Sequence, residues 1–250
     1  MNKQLMTTRF AKAITTYDDA AQTQRIIARK MLAILQQYTC RPYQQILEIG
    51  CGTGIYSRLL LNAMAPNHLL LNDICPAMKH RLEDLLNHGV SFAAGDAELM
   101  PFAPGWQLIT SCSALQWLND LPGFFAKCHN LLTNGGCLAF STFGPRNLAE
   151  ITTLTGHGLA YLSLTQLKSL LAPYFEVIAG YEEYVQQVFP SPTDVLYHLK
   201  HTGVTGLAQQ TWTKGALQRF CVSYTEQFSR LNGVGLTYHP IYLVAVKKER

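Results

Sequence analysis

The chain has 250 residues, of which 48% are hydrophobic and 14% charged, and its net charge is only +4. This apolar share supports one sizeable packed domain and excludes a disordered chain. The small net charge argues against a dedicated nucleic-acid-binding protein. The longest apolar run, 241–246, is far shorter than the roughly 20 residues of a membrane helix. Lys3, Arg9 and Lys12 interrupt the N-terminus, so we expect no secretory signal and no membrane partner.

The cysteine pattern indicates a reducing compartment. The seven cysteines include no Cys-x-x-Cys pair, and Cys112, Cys137 and Cys221 lie in apolar contexts. We therefore expect reduced, buried thiols and a cytoplasmic protein. His198 and His201 are followed by no second pair of ligands at metal spacing, so we expect no metal site.

Strand-like and helix-like segments alternate along the first part of the chain. An amphipathic helix starts at Asp18 or Asp19 and continues to Tyr38. The next predicted elements are a strand at 45–49, a helix near 55–64, a strand at 69–73, a helix at about 76–88, strands at 90–94 and 108–112, a helix at 124–132 and a strand at 137–142. This alternation predicts an α/β fold.

Beyond Gly144 and Pro145 the connections lengthen, which is typical of an insertion. Helices are predicted at 165–172, 193–200 and 213–231, and strands at 176–179 and 236–246, the last paired antiparallel with its neighbour. We predict a doubly wound, mostly parallel sheet with helices on both faces. Residues 1–250 then form a single domain, with a helical cap built from about 1–38 and 144–235.

The most informative segment is 46–54, Ile-Leu-Glu-Ile-Gly-Cys-Gly-Thr-Gly. An apolar strand that contains Glu48 and runs into Gly50, Gly52 and Gly54 places bare backbone at the carboxyl end of a sheet, where open α/β folds bind ligands. Glycine allows a ligand to approach the main chain and tolerates the angles of a tight turn. A plain strand-turn-helix corner does not explain three alternate glycines, so we expect a nucleotide-like ligand there.

Two further acids follow predicted strands. Asp73 lies nineteen residues beyond Gly54, where a carboxylate can accept hydrogen bonds from both ribose hydroxyls. Asp96 follows the third strand, where it can accept a hydrogen bond from an adenine amino group. Each acid alone is better explained as a surface charge or a helix cap. Three acids on three successive strands favour the ligand site.

These segments, together with GDAELMPF at 95–102 and SALQWL at 113–118, resemble the class I S-adenosylmethionine-dependent methyltransferases. The resemblance covers about 40–145 and implies a seven-stranded Rossmann-like sheet with S-adenosylmethionine as cofactor and S-adenosylhomocysteine as product. The residues that it assigns to the methionine part are Glu48, Gly50, Gly52 and Gly54. It assigns Asp73 to the ribose. It assigns Asp96, Ala97 and Met78 to the adenine, and it places Gln116 and Trp117 near the methyl group. A methionine at position 78 also suits ordinary core packing.

A dinucleotide-dependent oxidoreductase is the nearest alternative with this fold. Its fingerprint separates the second and third glycines by two residues, whereas a single residue separates Gly52 and Gly54. The chain also has no Tyr-x-x-x-Lys pair. Both features argue against hydride transfer.

The flanking segments resemble the malonyl-acyl-carrier-protein O-methyltransferases of biotin synthesis. The similar segments are RFAKAITTYD at 9–18, TFGPRNL at 142–148, LKHTGV at 199–204 and LTYH at 236–239. The resemblance spans nearly the whole chain and implies methyl transfer to the free carboxylate of malonyl on acyl carrier protein or on coenzyme A. It also implies that Tyr17 closes over the cofactor, although Tyr17 equally suits a helix packed on the core.

Such a reaction needs no general base, because the malonyl carboxylate is already ionised at neutral pH. The enzyme has to align the carboxylate with the methyl group and exclude water. Arg146, with its planar fork of donors, is the predicted holder of the carboxylate, and Lys200, Tyr238 and His239 are further candidates for orienting the thioester. Alternatives remain open: Arg146 can pair with Glu150, Lys200 can complement a helix dipole, and at most one of the two neighbouring strand residues faces a pocket.

An acidic carrier protein requires a basic docking surface. Arg25, Arg29 and Lys30 offer one such surface, and Lys214 and Arg219 offer another, although a solvated helix face explains either. Three functions therefore stay open. They are carboxyl methylation of malonyl on a carrier, methylation of another small acid or a quinone, and a non-catalytic assembly factor that keeps a cofactor-binding fold.

Overall fold

The computed structural model of the protein describes residues 2–39, 42–204 and 213–249, so residues 1, 40–41, 205–212 and 250 of the predicted single domain lie outside it. Its helices are α1 (Lys3–Ala13), α2 (Tyr17–Ala20), α3 (Gln22–Tyr38), α4 (Ile55–Met64), α5 (Leu121–Leu131), α6 (Ala149–Thr155), α7 (Leu164–Leu171), α8 (Pro192–His201) and α9 (Lys214–Phe228). Its strands are β1 (Gln45–Ile49), β2 (His68–Asp73), β3 (Val90–Ala94), β4 (Trp106–Cys112), β5 (Leu132–Phe143), β6 (Phe175–Glu182), β7 (Val185–Phe189), β8 (Ser229–Arg230), β9 (Gly233–Tyr238) and β10 (Pro240–Lys247).

Seven strands form the main sheet, in the order β3-β2-β1-β4-β5-β10-β6. β1 pairs in parallel with β2 and β4, whereas β10 runs antiparallel to β5 and β6. The predicted doubly wound, mostly parallel sheet is confirmed. The chain winds outward from β1 to β3 and then returns to β4 on the other side of β1. The carboxyl ends of β1 and β4 therefore form the switch point at which open α/β sheets bind ligands.

The two faces of this sheet carry two separate cores. Ile46 packs into one core, while Leu47 and Ile49 pack into the other, because successive strand residues point to opposite faces. The first core receives side chains from α3 and α4, and the second receives them from α5 and α7. Glu48 shares the face of Ile46, toward α3 and α4, at the end of a central strand.

The N-terminal helices differ from the prediction. α3 begins at Gln22, because Ala21 leaves the helical region at φ −84° and ψ 40° and separates α3 from the short α2. α1 was not predicted, and Ala13 is its single buried residue, so it presents no apolar stripe. The segment before α3 is therefore helical in two pieces rather than one continuous helix.

The predicted helix at 76–88 is wrong. A 3-10 helix covers Pro76–Arg81, and the amides of Leu82 and Leu85 bond carbonyls three residues back. The carbonyl of Arg81 accepts a hydrogen bond from the Arg58 guanidinium at 3.0 Å instead of from a following helical amide. This competition ends the helix after two turns of 3-10 geometry.

The single strand predicted at 236–246 is also wrong, because the chain leaves one sheet at His239 and enters another. The His239 amide donates to the Asn147 side chain at 3.3 Å, and its carbonyl accepts from the Gly144 amide at 2.7 Å. Pro240 lacks an amide hydrogen and begins β10. β9 and β10 are consequently two strands.

The second sheet has the order β7-β9-β8 and packs against α8 and α9. The region predicted as a helical cap therefore contains an antiparallel sheet as well. The sequence of β7, Val-Gln-Gln-Val-Phe, does not alternate apolar with polar residues, which explains why it was not predicted. The division into a domain and its cap stays a prediction. Within the described ranges, no helix combines the length and the apolar character needed to cross a bilayer.

Candidate active site

A cleft of about 1070 Å³, including its open mouth, lies at the switch point of the sheet. This volume, which includes open space at the mouth, lies near the upper end of the range for small-molecule sites. The sequence-predicted cofactor residues that line it are Tyr17, Glu48, Gly50, Gly52, Asp73, Met78, Asp96, Ala97 and Trp117. Gln116 lines an adjoining cavity, and Gly54 lines neither. The structure thus brings nine of the eleven predicted cofactor residues to one cleft.

The glycine turn gives the cleft its floor. Gly50 has φ +68°, and a Cβ there would lie 2.3 Å from the Ala114 Cβ, so a side chain does not fit. Gly52 has φ +54°, and a Cβ there would meet only open space. Gly54, at φ +85°, caps α4, where a Cβ would meet Arg58 and Leu82. The three glycines therefore serve the turn and its packing, and Gly52 leaves bare backbone beside the cleft.

Glu48 is a buried acid without a full set of partners. It is 1% exposed, and its Oε2 has no hydrogen-bond partner among the described residues. Burial raises the pKa of its carboxyl to about 8; the Ser57 hydroxyl opposes this rise, and the nearby Asp73 adds to it. A buried polar atom without a partner is costly. A ligand that carries a cationic donor, such as an ammonium group, would remove that cost.

Asp73 is held in place by the backbone. Its Oδ2 accepts from the Gly52 amide at 2.9 Å, and its Oδ1 accepts from the Cys75 amide at 2.8 Å. Burial nevertheless raises the pKa of the carboxyl above its ordinary value. Each oxygen keeps a further lone pair, so the group can accept two hydroxyl donors without moving.

Asp96 has a partner that sequence reasoning missed. The Lys3 ammonium lies 2.7 Å from Asp96 Oδ1 and also contacts Glu98. Glu98 in turn accepts hydrogen bonds from the amides of Asn119 and Asp120. Lys3 lines the cleft, so α1 covers the end predicted for the adenine. Each Asp96 oxygen has more than one lone pair, which leaves room for an adenine amino donor beside Lys3.

The segment that carries Tyr17 is tied to the glycine turn through Asp18. Asp18 accepts from the Thr53 hydroxyl at 2.6 Å and from the Arg81 guanidinium at 2.7 Å. The Arg25 guanidinium donates to the Asp18 carbonyl. These contacts place Tyr17 on the wall of the cleft, and its closing over a ligand stays a prediction.

A second, smaller cavity adjoins the cleft. The residues that line both spaces are Phe10, Tyr17, Gln24, Ser113 and Trp117. The Phe10 and Trp117 rings meet edge to face, with centroids 5.5 Å apart. The cleft and this second cavity are therefore separated by a shared wall. Tyr238, a sequence-predicted residue, lines the second cavity.

Of the other predicted substrate residues, none lines the described parts of either cavity. The Arg146 side chain is exposed, with its guanidinium 5.7 Å from the centre of the Tyr184 ring. Lys200 is exposed in the last turn of α8, and His239 is buried with its Nε2 3.2 Å from Glu182. The role of these three side chains at the acceptor stays a prediction.

The alternative pairing of Arg146 with Glu150 does not appear in the structure. Glu150 is 4% exposed and accepts from the Thr237 amide at 3.0 Å and from the Thr237 hydroxyl at 2.5 Å. It therefore links α6 to β9.

His198 is buried and does not act as a metal ligand in the described structure. Its Nε2 lies 2.5 Å from the Tyr238 hydroxyl, and burial lowers the pKa of His198 to about 4. Within the described ranges, no three His, Cys, Asp or Glu side chains meet as a metal site.

Comparisons with known proteins agree with this geometry. A family model described as a methyltransferase domain matches residues 46–136. A malonyl-[acyl-carrier protein] O-methyltransferase of Bacteroides thetaiotaomicron is 48% identical over 260 residues, which cover 100% of each chain. A structure from Bacillus halodurans described as a methyltransferase superposes with a TM-score of 0.64 at 16% identity and covers 88% of this chain and 99% of that chain.

A Haemonchus contortus phosphoethanolamine N-methyltransferase in complex with S-adenosyl-L-methionine superposes with a TM-score of 0.59 at 16% identity. The match covers 96% of this chain and 57% of that chain. At such identities the two structures show the fold alone.

The fold with its cleft at the switch point and the match to the family model together identify this chain as a class I methyltransferase. Because its relative is 48% identical over the full length of both chains, the chain belongs to the malonyl-[acyl-carrier protein] O-methyltransferase family.

Proposed function

We propose that the protein transfers a methyl group from S-adenosylmethionine to the free carboxylate of malonyl-acyl carrier protein, or of malonyl-CoA. The product is the malonyl methyl ester that enters biotin synthesis. Family membership supports the proposal, and one structural observation carries it. We take the second cavity beside the cleft as the acceptor cavity, and its described lining offers hydroxyl and amide groups but no Asp, Glu, Lys, Arg or His side chain.

A cavity without a base suits an acceptor that arrives already ionised. A carboxylic acid with an ordinary pKa near 4 is an anion at neutral pH, whereas a phenol has to lose a proton before it attacks. Burial raises the pKa of Tyr17, Tyr161 and Tyr238, so none of these tyrosines is a phenolate at neutral pH. The cavity therefore favours a carboxylate acceptor over a quinol ring.

The residues of the cleft fit the cofactor. When bound, S-adenosylmethionine supplies an electrophilic methyl group on a sulfonium sulfur. The unpartnered Glu48 Oε2 would accept a hydrogen bond from its ammonium group, and the remaining lone pairs of Asp73 from its ribose hydroxyls. Asp96 would accept from the adenine amino group beside Lys3. Gly52 leaves the backbone open for close approach.

The chain contributes alignment and a dry environment to the transfer. The chain's own residues would hold an oxygen of the acceptor carboxylate in line with the methyl group, where the negative charge of the acceptor and the positive charge that the cofactor supplies would cancel. Loss of charge is favoured when water is excluded. Phe10, Trp117 and Phe143 supply apolar walls around the acceptor. No protein group has to take a proton.

The carrier would dock on basic residues. In the first predicted surface, the Arg25 guanidinium donates a hydrogen bond to the Asp18 carbonyl and Lys30 forms an ion pair with Glu183, so both side chains already stabilise the fold. Lys214 and Arg219 are exposed on α9 and are the better docking residues. We place the protein in the cytoplasm, and none of the six described cysteines forms a disulfide bond, as suits a reducing compartment.

The proposal is tested by incubating the protein with S-adenosylmethionine labelled in the methyl group and malonyl-acyl carrier protein. We expect label in a base-labile methyl ester on the carrier, and less label with malonyl-CoA at equal concentration. Acetyl-acyl carrier protein, which lacks the free carboxylate, is the control and should stay unlabelled. Cofactor binding without turnover on any acid would instead support the assembly-factor alternative.

A further inference from the structure

Most polar groups that line the acceptor cavity are committed to the protein itself. The Gln116 amide donates to the Ser113 carbonyl at 2.6 Å and accepts from Thr142 at 3.3 Å. The Thr202 hydroxyl donates to the His198 carbonyl at 2.9 Å. An acceptor carboxylate needs donors that are still available: the single Thr202 hydrogen is used, and Gln116 Nε2 keeps only one of its two hydrogens.

The orientation of Asn147 identifies such a donor. Asn147 is 3% exposed, and the His239 amide approaches one end of its side chain at 3.3 Å. A backbone amide only donates, so that end is the oxygen Oδ1. The other end, Nδ2, therefore faces the Tyr161 hydroxyl, which lies 2.9 Å away. The side-chain amide of Asn147 donates, and the Tyr161 oxygen accepts.

The hydroxyl hydrogen of Tyr161 is left over by this arrangement. A tyrosine has a single hydroxyl hydrogen, and Asn147 Nδ2 has no lone pair to receive it. Within residues 2–39, 42–204 and 213–249, no other group bonds the Tyr161 hydroxyl. Tyr161 lines the acceptor cavity, and its ring packs edge to face on Phe143. The hydrogen is therefore available to a ligand in the cavity.

We propose that Tyr161 binds the carboxylate of the methyl acceptor by donating its hydroxyl hydrogen, and that Asn147 is the positioning residue that directs this hydrogen into the cavity. The inference rests on the proposed function, since it assumes an acid as acceptor. In this proposal a neutral hydroxyl on the cavity wall selects acceptors that carry a free carboxylate.

Tyr238, the other predicted hydroxyl in this cavity, is less free. Its oxygen lies 2.5 Å from His198 Nε2, and it also shares a hydrogen bond with Gln24.

A neutral donor such as Tyr161 holds an anion without cancelling its negative charge before the transition state. The charge has to be cancelled by the sulfonium in the transition state, so a neutral holder leaves the oxygen nucleophilic.

The test compares Tyr161→Phe, Asn147→Asp and the double variant with the intact protein, using malonyl-acyl carrier protein. Tyr161→Phe keeps the ring on Phe143 and removes the hydroxyl. Asn147→Asp keeps the shape of the side chain, but a carboxylate accepts the Tyr161 hydrogen and turns it away from the cavity. Tyr197→Phe, on an exposed tyrosine of α8, is the matched control.

We expect KM for the malonyl carrier to rise on the order of tenfold or more in each single variant, as for loss of a hydrogen bond to a charged group. We expect kcat to change by less than about threefold, because the bond is made in the ground state. The double variant should lose no more than either single one. Affinity for S-adenosylhomocysteine, measured by calorimetry, should stay unchanged and shows that the variants fold.

An unchanged KM in Tyr161→Phe overturns the assignment, and so does an additive loss in the double variant. A loss of S-adenosylhomocysteine affinity also overturns it, because the hydroxyl would then act on the cofactor side or on the fold. If the intact protein methylates no malonyl thioester at all, the proposed function fails and this inference fails with it. If the intact protein methylates the malonyl carrier and the variants have the same KM, the proposed function stands and Tyr161 does not hold the carboxylate.

Discussion

Glu48 offers a direct test of the cofactor cleft, because its protonation state should depend on whether the cleft is filled. Its carboxyl is 1% exposed, has an unpartnered Oε2 and has a pKa of about 8. The substitution Glu48→Gln keeps the size of the side chain and removes the charge. We expect it to stabilise the free protein at high pH and to weaken cofactor binding.

The magnitude follows from the pKa in the folded and unfolded states. The folded protein has a pKa of about 8 at Glu48, and the ordinary value is 4.5. Between these values the folded state holds a proton that the unfolded state has lost, so the free energy of unfolding falls as pH rises from 4.5 to 8. At about 1.4 kcal/mol per pKa unit, the loss from this one group is about 5 kcal/mol.

Urea unfolding of both proteins at pH 5 and pH 8 measures this loss. At pH 5 the intact protein and Glu48→Gln should have similar free energies of unfolding. At pH 8 the free energy of unfolding of Glu48→Gln should exceed that of the intact protein by several kcal/mol. The comparison cancels the contributions of every other titrating group. Stability profiles that run parallel between pH 5 and pH 8 would refute the buried, unpartnered state of Glu48.

Cofactor binding should expel the proton. An ammonium beside Oε2 favours the ionised carboxyl, so S-adenosylhomocysteine should release close to one proton from the intact protein at pH 7. Calorimetry in buffers of different ionisation enthalpy counts that proton. Glu48→Gln should release about one proton fewer. Equal proton counts in the two proteins would show that the ammonium lies elsewhere.

Three further predictions concern the rest of the site. Asp73→Ala should weaken S-adenosylhomocysteine binding by about 2 kcal/mol, because two charge-assisted hydrogen bonds are lost; unchanged affinity in calorimetry would place the ribose elsewhere. The role predicted for Arg146 is tested by Arg146→Ala: because the side chain is exposed and lines neither described cavity, we expect kcat/KM to change by no more than about twofold; a large fall in turnover with cofactor binding intact would support Arg146 as the carboxylate holder. Reversing the charges of Lys214 and Arg219 should raise KM for the malonyl carrier and spare malonyl-CoA, whereas equal effects on both substrates would contradict a docking role.

The cofactor side of the protein was largely predictable, because its signals are local in the sequence. An apolar strand followed by alternate glycines fixes β1 and its turn within nine residues. The bounds predicted for the helix at 55–64 and for the strand at 90–94 agree with α4 and β3. Asp73 and Asp96 follow from strand ends, since the carboxyl ends of parallel strands meet at one edge.

Contacts between distant segments were not predictable in the same way. Lys3 meets Asp96 across 93 positions of the chain, and no spacing rule connects them. The helix predicted at 76–88 ends early because Arg58, on α4, takes a carbonyl that a longer helix would need. In both cases a tertiary partner overrides what the local pattern indicates.

The acceptor side shows the limit most clearly. Arg146 was predicted by residue type, since an anion suggests a cation, and its role stays a prediction; the described lining of the cavity itself has neutral donors and apolar rings. The charge of the acceptor disappears in the transition state, so a strong ion pair would stabilise the ground state more than the transition state. Tyr161 and Asn147 instead act through the direction of one hydrogen, and that direction is fixed by the backbone of His239, 92 positions beyond Asn147. A role of this kind depends on hydrogen-bond geometry, which a residue pattern does not contain.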